Sequence, residues 1–195
     1  VFGKDGLLQH SMENFEIRES QINFGSFVEN IFMDKPSIGV VEAGTGSGKS
    51  LAYLFPAIKR TFTENVNGPT IISCHTKHLQ DQYIKDIPFL KPVKGKQNFP
   101  CLKLMSFEKV KNRRKAMRWG LTCDKGQCQE RVHKNGKEVI EVCKFKPTIK
   151  QVEENTQDSQ SCHYYLQKYE ALVSKHSLWN YPAFFQIMKF NKKLF

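Results

Sequence analysis

Ala43-Gly44-Thr45-Gly46-Ser47-Gly48-Lys49-Ser50 is the stretch whose reading decides the fold. It fits the phosphate-binding loop pattern, with Ala where the commonest form has its first Gly. The spacing follows from the chemistry. Glycines let consecutive backbone N–H groups turn inward as an anion nest, the next helix presents its positive N-terminus, and Lys49 reaches the outer phosphates. Ser50 then stands where its hydroxyl can ligate Mg2+. Nucleotide binding is the expected chemistry; the plainer alternative is a Gly-rich turn followed by an accidental Lys-Ser.

The flanks supply the context that this pattern needs. Ser37-Ile38-Gly39-Val40-Val41 reads as a short buried parallel strand, and residues 50–63 as a helix with Leu51, Leu54, Phe55 and Ile58 on one face. Upstream, residues 11–34 read as a helix whose apolar face is Phe24, Phe27, Val28, Ile31 and Phe32. Downstream, Asn67-Gly68-Pro69 marks a turn before a second strand at 70–73, and residues 76–87 form a further helix with Thr76 as its N-cap and Leu79, Tyr83 and Ile87 aligned. Strand, helix, strand, helix in units of this size argues for an α/β fold with a parallel sheet. Between about Lys91 and Gln160 the rhythm fails, and that segment looks inserted. Apolar and aromatic residues return from Tyr164 to Val173, and Leu178–Met188 has core character.

The chain has 195 residues, enough to bury a real core, and no run approaches the roughly 18 apolar residues of a membrane span. Thirty Lys and Arg against nineteen Asp and Glu give +11, which favours a polyanionic partner and disfavours a neutral enzyme of small metabolites. The excess is local. Residues 91–150 hold 17 basic and 5 acidic side chains, a net of +12, so the rest of the chain is nearly neutral. The same region carries Cys101, Cys123, Cys128 and Cys143, with Cys162 just beyond; Cys74 lies apart on a strand end and reads as a small buried apolar residue. No signal peptide is evident, so an intracellular location, with reduced thiolates as metal ligands, is expected. Four cysteines complete either a zinc or an iron–sulfur site, and spacing alone slightly favours zinc. His133 and His163 are ligand candidates in a zinc version, although surface histidines are the plainer reading.

Val41 to Ser50 resembles the first motor motif of the iron–sulfur helicases of superfamily two, the XPD/DinG group, in which Ala before the Gly is common. Phe15-Glu16-Ile17-Arg18-Glu19-Ser20-Gln21 is similar to the group's aromatic, Arg and Gln signature, whose Gln contacts adenine. Ile71 to Gln82 resembles its motif Ia, which touches the DNA backbone. Lys94 to Cys101 resembles the entry to the group's iron–sulfur insertion, and Cys162-His163-Tyr164-Tyr165 its exit; Asn180 to Phe185 resembles the return to the motor sheet.

The resemblance implies a P-loop, RecA-like parallel sheet with an inserted, mainly helical iron–sulfur domain. Residues 1–92 would be the first part of the motor lobe, 93–168 the insertion, and 169–195 the return. It implies ATP and Mg2+ held by Arg18, Gln21 and residues 43–50, with Lys49 and Ser50 on the phosphates. A [4Fe–4S] cluster would be held by Cys101, Cys128, Cys143 and Cys162, leaving Cys123, often another small residue in the group, as the spare. The activity implied is ATP-driven translocation on single-stranded or forked DNA, 5′ to 3′, with no membrane partner. Lys109, Lys111, Arg113, Arg114, Lys115 and Arg118 would track phosphates, with Trp119 and Phe107 stacking on bases or wedging strands apart; the alternative is a solvated basic face with Trp119 in a small core. The group's Asp-Glu-Ala-His box is expected after the Asn180 stretch and is absent up to Phe195, so a truncated chain, inactive alone, is expected. Two other readings stand: a non-catalytic metal-stapled DNA-binding module, and an unrelated P-loop ATPase with a zinc insertion.

Overall fold

The computed structural model of the chain describes residues 15–33, 38–63 and 69–190, together with Lys4, Gly6, Gln9 and His10. They fall into two compact units, residues 1–70 and 71–195.

The first unit is built on α1 (Glu19–Met33) and α2 (Lys49–Thr63). Ala52 and Leu54 of α2 are completely buried, and Phe15, Ile22, Phe24, Leu51 and Phe55 pack around Ala52. Polar contacts fix the same helix pair: Lys59 reaches Glu29 at 2.6 Å, and the Arg60 guanidinium lies 5.4 Å from the Phe32 ring centre. The face expected on α2 is present, since Leu54 and Ile58 are buried, whereas Phe27 of the expected α1 face is exposed. The expected start of α1 at residues 11–14, Ser37 and the Asn67-Gly68 turn lie outside the described residues.

One expected element is not formed. Ile38 to Val41 make no strand, and Ile38 and Val40 are 94 and 89% exposed. The β-branched run has the right side chains for a buried strand. A strand, however, exists only through the ladder bonds of a neighbour, and among the described residues none pairs with 38–41. Gly39 instead packs so closely on Ile31 of α1 that any side chain there would collide with it.

The second unit has a three-stranded sheet in the order β1-β5-β2, formed by β1 (Thr70–Cys74), β2 (Lys91–Val93) and β5 (His176–Asn180). β2 and β5 run parallel, with Lys91 opposite Ser177, Pro92 opposite Leu178 and Val93 opposite Trp179. A mixed α/β architecture with a parallel sheet, consistent with a RecA-like domain, is therefore present. The middle strand, β5, is buried from His176 to Trp179, as a strand with neighbours on both sides must be. Against it pack α3 (Lys77–Asp86), capped by Thr76 Oγ1 accepting from the Leu79 N–H at 3.2 Å, and α8 (Tyr181–Phe190). Gln80 of α3 is completely buried; its Nε2 donates to the carbonyls of Val93 at 3.0 Å and Leu178 at 3.4 Å.

Between β2 and β5 come α4 (Leu102–Phe107), α5 (Arg113–Arg118), β3 (Gln129–Lys134), β4 (Lys137–Val142), α6 (Ile149–Glu153) and α7 (His163–Val173). The β3–β4 hairpin departs from the mainly helical expectation. Its turn, Asn135-Gly136, has φ of 51° and 73°, the left-handed pair that a two-residue hairpin loop requires. Two small cores support this stretch: Met105, Val110 and Ala116 in one, and Cys101, Cys123, Cys162 and Tyr164 in the other. Trp119 is 55% exposed beneath the Lys115 ammonium, 4.4 Å from its ring, and so is not part of either.

Replacing Gln80 with Met keeps the volume and removes the donor to two buried carbonyls. Gln80→Met is expected to cost about 1–3 kcal/mol of stability, read as a lowered midpoint in urea denaturation followed by Trp179 fluorescence; an unchanged midpoint would refute the role given to this amide.

Candidate functional site

The chemistry-bearing residues form two separate sites, one in each unit. In the first, the loop 43–48 runs into α2, whose first residue is Lys49. Gly46 and Gly48 take φ of +78° and +73°, conformations that side-chain-bearing residues rarely adopt, and this alternation turns successive N–H groups to one side. Ser47 Oγ donates back to the Gly44 carbonyl at 2.8 Å and tightens the turn. The Lys49 ammonium donates to the carbonyls of Ala43 at 3.1 Å and Gly44 at 3.0 Å, which holds it across the loop. Ser50 occupies the first turn of α2 beside the helix's free N–H groups, where an anion is favoured. Thr45 is exposed at the tip.

Residues 18 and 21 brace this loop from α1 and the turn before it. The Arg18 guanidinium donates to the Gly46 carbonyl and pairs with Glu16 at 3.2 Å. Gln21 is buried, 3% exposed, and its Nε2 donates to the Gly48 carbonyl at 2.9 Å. Both side chains thus grip the backbone of the loop's two left-handed glycines. For Gln21, from which an adenine contact is expected, the amide N–H is already engaged by protein.

In the second unit the motif that begins at Ile71 divides. Cys74 is buried, and burial pushes its thiol up, as suits a small core residue. Thr76 caps a helix and Gln80 is internal, while Lys77 and His78 are exposed. Asp81 is bound to Lys94 at 2.7 Å, which holds its carboxyl below the usual range. Only the exposed members of the stretch are free to face a partner.

Of the expected set Cys101, Cys128, Cys143 and Cys162, the first and last share one small core with Cys123, the residue taken as spare. Cys123 is the most buried of the five, and its Sγ lies 4.0 Å from that of Cys162. Hydrogen bonding to Cys123 holds the thiols of Cys101 and Cys162 down to about 6, and the proton they lack raises that of Cys123. Cys128 and Cys143 are half-buried beside this trio and tied to each other, the Cys143 N–H donating to the Cys128 carbonyl at 3.0 Å. Gly126 lets the 123–128 loop close over Cys101; a Cβ there would meet its Sγ. Among the described residues, no group of three or more His, Cys, Asp or Glu is drawn into metal-binding geometry. The donor chemistry nonetheless fits a soft metal: three thiols share one small core, Cys128 and Cys143 lie beside it, and the thiols of Cys101 and Cys162 are held below their ordinary value. His133 is exposed on the hairpin, and burial lowers His163.

Comparison with known proteins agrees with the motifs. Residues 26–119 match the DEAD/DEAH box helicase family. The chain is 35% identical over 113 residues to the ATP-dependent DNA helicase YoaA of Haemophilus influenzae, covering 52% of this chain and 17% of that protein. It is 41% identical over 78 residues to the ATP-dependent helicase DinG of Mycobacterium tuberculosis, 32% of this chain and 11% of the other. It is 31% identical over 119 residues to a protein of Bacillus subtilis named 3'-5' exonuclease DinG, 55% and 12% of the two chains. The chain therefore spans less than a fifth of the length of these curated relatives. The XPD/DinG resemblance is borne out: helicase-domain sequence and YoaA and DinG homologues coincide on the N-terminal half. No helix among the described residues is long and apolar enough to cross a membrane.

Gly48→Ala tests the loop geometry. A Cβ at Gly48 meets the Gln21 amide and must also adopt φ +73°, so affinity for Mg-ATP is expected to fall about tenfold or more in a fluorescent-nucleotide titration. Wild-type affinity in the variant would contradict it.

Proposed function

We propose that this chain is the ATP-binding, DNA-contacting part of an ATP-dependent DNA helicase that moves on single-stranded DNA 5′ to 3′. The observation that carries the reading is the loop itself: left-handed Gly46 and Gly48, the α2 N-terminus, and the Lys49 ammonium 3.0 and 3.1 Å from the loop carbonyls it leaves when phosphates enter. In this reading Lys49 neutralises the β- and γ-phosphates and Ser50 supplies a hydroxyl to Mg2+. Arg18 and Gln21 act as positioning residues that hold the loop in its anion-binding form. The relatives' printed names supply the coupling to DNA, and the +12 excess over residues 91–150 supports a polyanion as partner.

The proposal extends to a [4Fe–4S] cluster in the segment between β2 and β5, taken as an insertion in the motor lobe. Cys101, Cys123 and Cys162 would hold it, with the fourth thiolate from the Cys128–Cys143 pair. When bound, such a cluster ties distant chain segments together in a region whose own cores are small. One observation favours zinc as a second reading. The 4.0 Å between the Cys123 and Cys162 sulfurs is close to the edge of about 3.8 Å that Zn–S bonds of about 2.3 Å give in a tetrahedral thiolate site.

Two measurements test these statements. Lys49→Ala is expected to abolish Mg-ATP binding while leaving the far-UV circular dichroism unchanged; retained binding would refute the phosphate site. Protein purified without oxygen is expected to be brown, with iron near four per chain and absorbance near roughly 400 nm. Cys123→Ser is expected to lose both signals. Colourless protein with one zinc supports the second reading, and a brown Cys123→Ser variant removes Cys123 from the ligand set.

A further inference from the structure

A cleft of about 370 Å³ opens between α4 and the β3–β4 hairpin, away from the phosphate loop in sequence, with Cys143 in its wall. Its size is at the small end of organic ligand pockets, roughly 300–1,000 Å³, which accommodates a base with its sugar and excludes a duplex. Two aromatic rings line it: Phe107, at the end of α4 and 73% exposed, and Phe145, just beyond β4. An unpartnered phenylalanine at a helix end gains nothing from folding, so its exposure is informative when it borders a cavity.

The charges of the lining select the occupant. Lys144 offers the cation, Lys103 being paired with Glu130, and Glu130 and Glu141 are the carboxylates. Both acids are already neutralised, Glu130 by Lys103 and Glu141 by Lys134, so neither repels an anion, yet their oxygens keep lone pairs that can accept from an exocyclic base amine. The surrounding sequence is basic by 17 side chains to 5. A ring-stacking slot with hydrogen-bond acceptors inside and cations around it matches a nucleotide of a single strand, whose π-face, amine edge and phosphate need those three features.

We infer that this cleft receives one unstacked base of single-stranded DNA, held against Phe107. The hairpin, isolated from both small cores, then has a role as the second wall of the pocket. This inference rests on the DNA reading above and deepens it by naming where a base is gripped.

Fluorescence anisotropy with the intact chain tests it, using a labelled oligodeoxycytidylate, whose bases carry the exocyclic amine, and an abasic strand of the same length in the same salt. Wild type is expected to prefer the base-bearing strand. Phe107→Ala should weaken binding of that strand about five- to hundredfold and leave the abasic strand unchanged, whereas Phe107→Trp should keep the preference. The Phe107 side chain is exposed, so thermal melting of the Ala variant should match wild type. Phe107→Ala binding both strands as wild type does, or losing affinity equally for both, overturns the pocket. Failure of the wild-type chain to bind either strand overturns the DNA reading itself, and the pocket with it.

Discussion

The second unit depends on one buried amide. Gln80 donates to carbonyls on β2 and on β5, the latter 98 residues away in sequence, and so fastens α3 to both strands between which the long segment leaves and returns. A three-residue strand such as β2 contributes few ladder bonds, and its pairing with β5 closes a loop of more than 80 residues. That closure costs entropy before any contact forms. Val93, Leu178 and Trp179, all nearly inaccessible, supply the apolar burial, while Gln80 supplies direction, since an amide shared by two carbonyls tolerates only one register. Its own Oε1 is buried and finds no partner among the described residues, so the arrangement favours specificity over maximal stability.

The first unit solves a different problem: how to keep an anion site formed when no anion is present. Three glycines and two serines between Gly44 and Ser50 have a large conformational entropy to lose, and inward-turned N–H groups repel one another. The chain counters this from outside the loop. Gln21 and Arg18 each take the carbonyl of a left-handed glycine, and Lys49 takes two more, so four loop carbonyls are bound by side-chain donors. A loop held from outside in this way is already in shape, which lowers the ordering cost of binding an anion.

Much of this was legible in the sequence, and the exceptions share a cause. The loop, α2, β1 and the Thr76 cap follow from local rules: glycine spacing, helical periodicity, a capping hydroxyl. The strand at 37–41 was misread because Val40 and Val41 report only on their own preference; whether a strand forms is decided by neighbours elsewhere in the chain. The hairpin was missed for the opposite reason. Its Asn135-Gly136 turn was in plain view, but the flanking strands are charged and exposed on every position of β4, so the apolar alternation that usually announces a strand is absent.

Cys123 shows where a spacing argument reaches its limit. In sequence it is one of a pair with Cys128, and family likeness marks it as the dispensable member. In space Cys123 is the most buried of the five, because the isolated bridge between Pro100 and Thr122 brings the chain on either side of the first small core together and delivers Cys123 beside Cys101. A turn through Gly126 then carries Cys128 outward, towards Cys143 and the tyrosines of α7. The most buried thiol lies between two thiols that ionise more readily. Burial disfavours a thiolate, and the hydrogen bonds from Cys123 offset that cost for Cys101 and Cys162 while raising the Cys123 thiol itself.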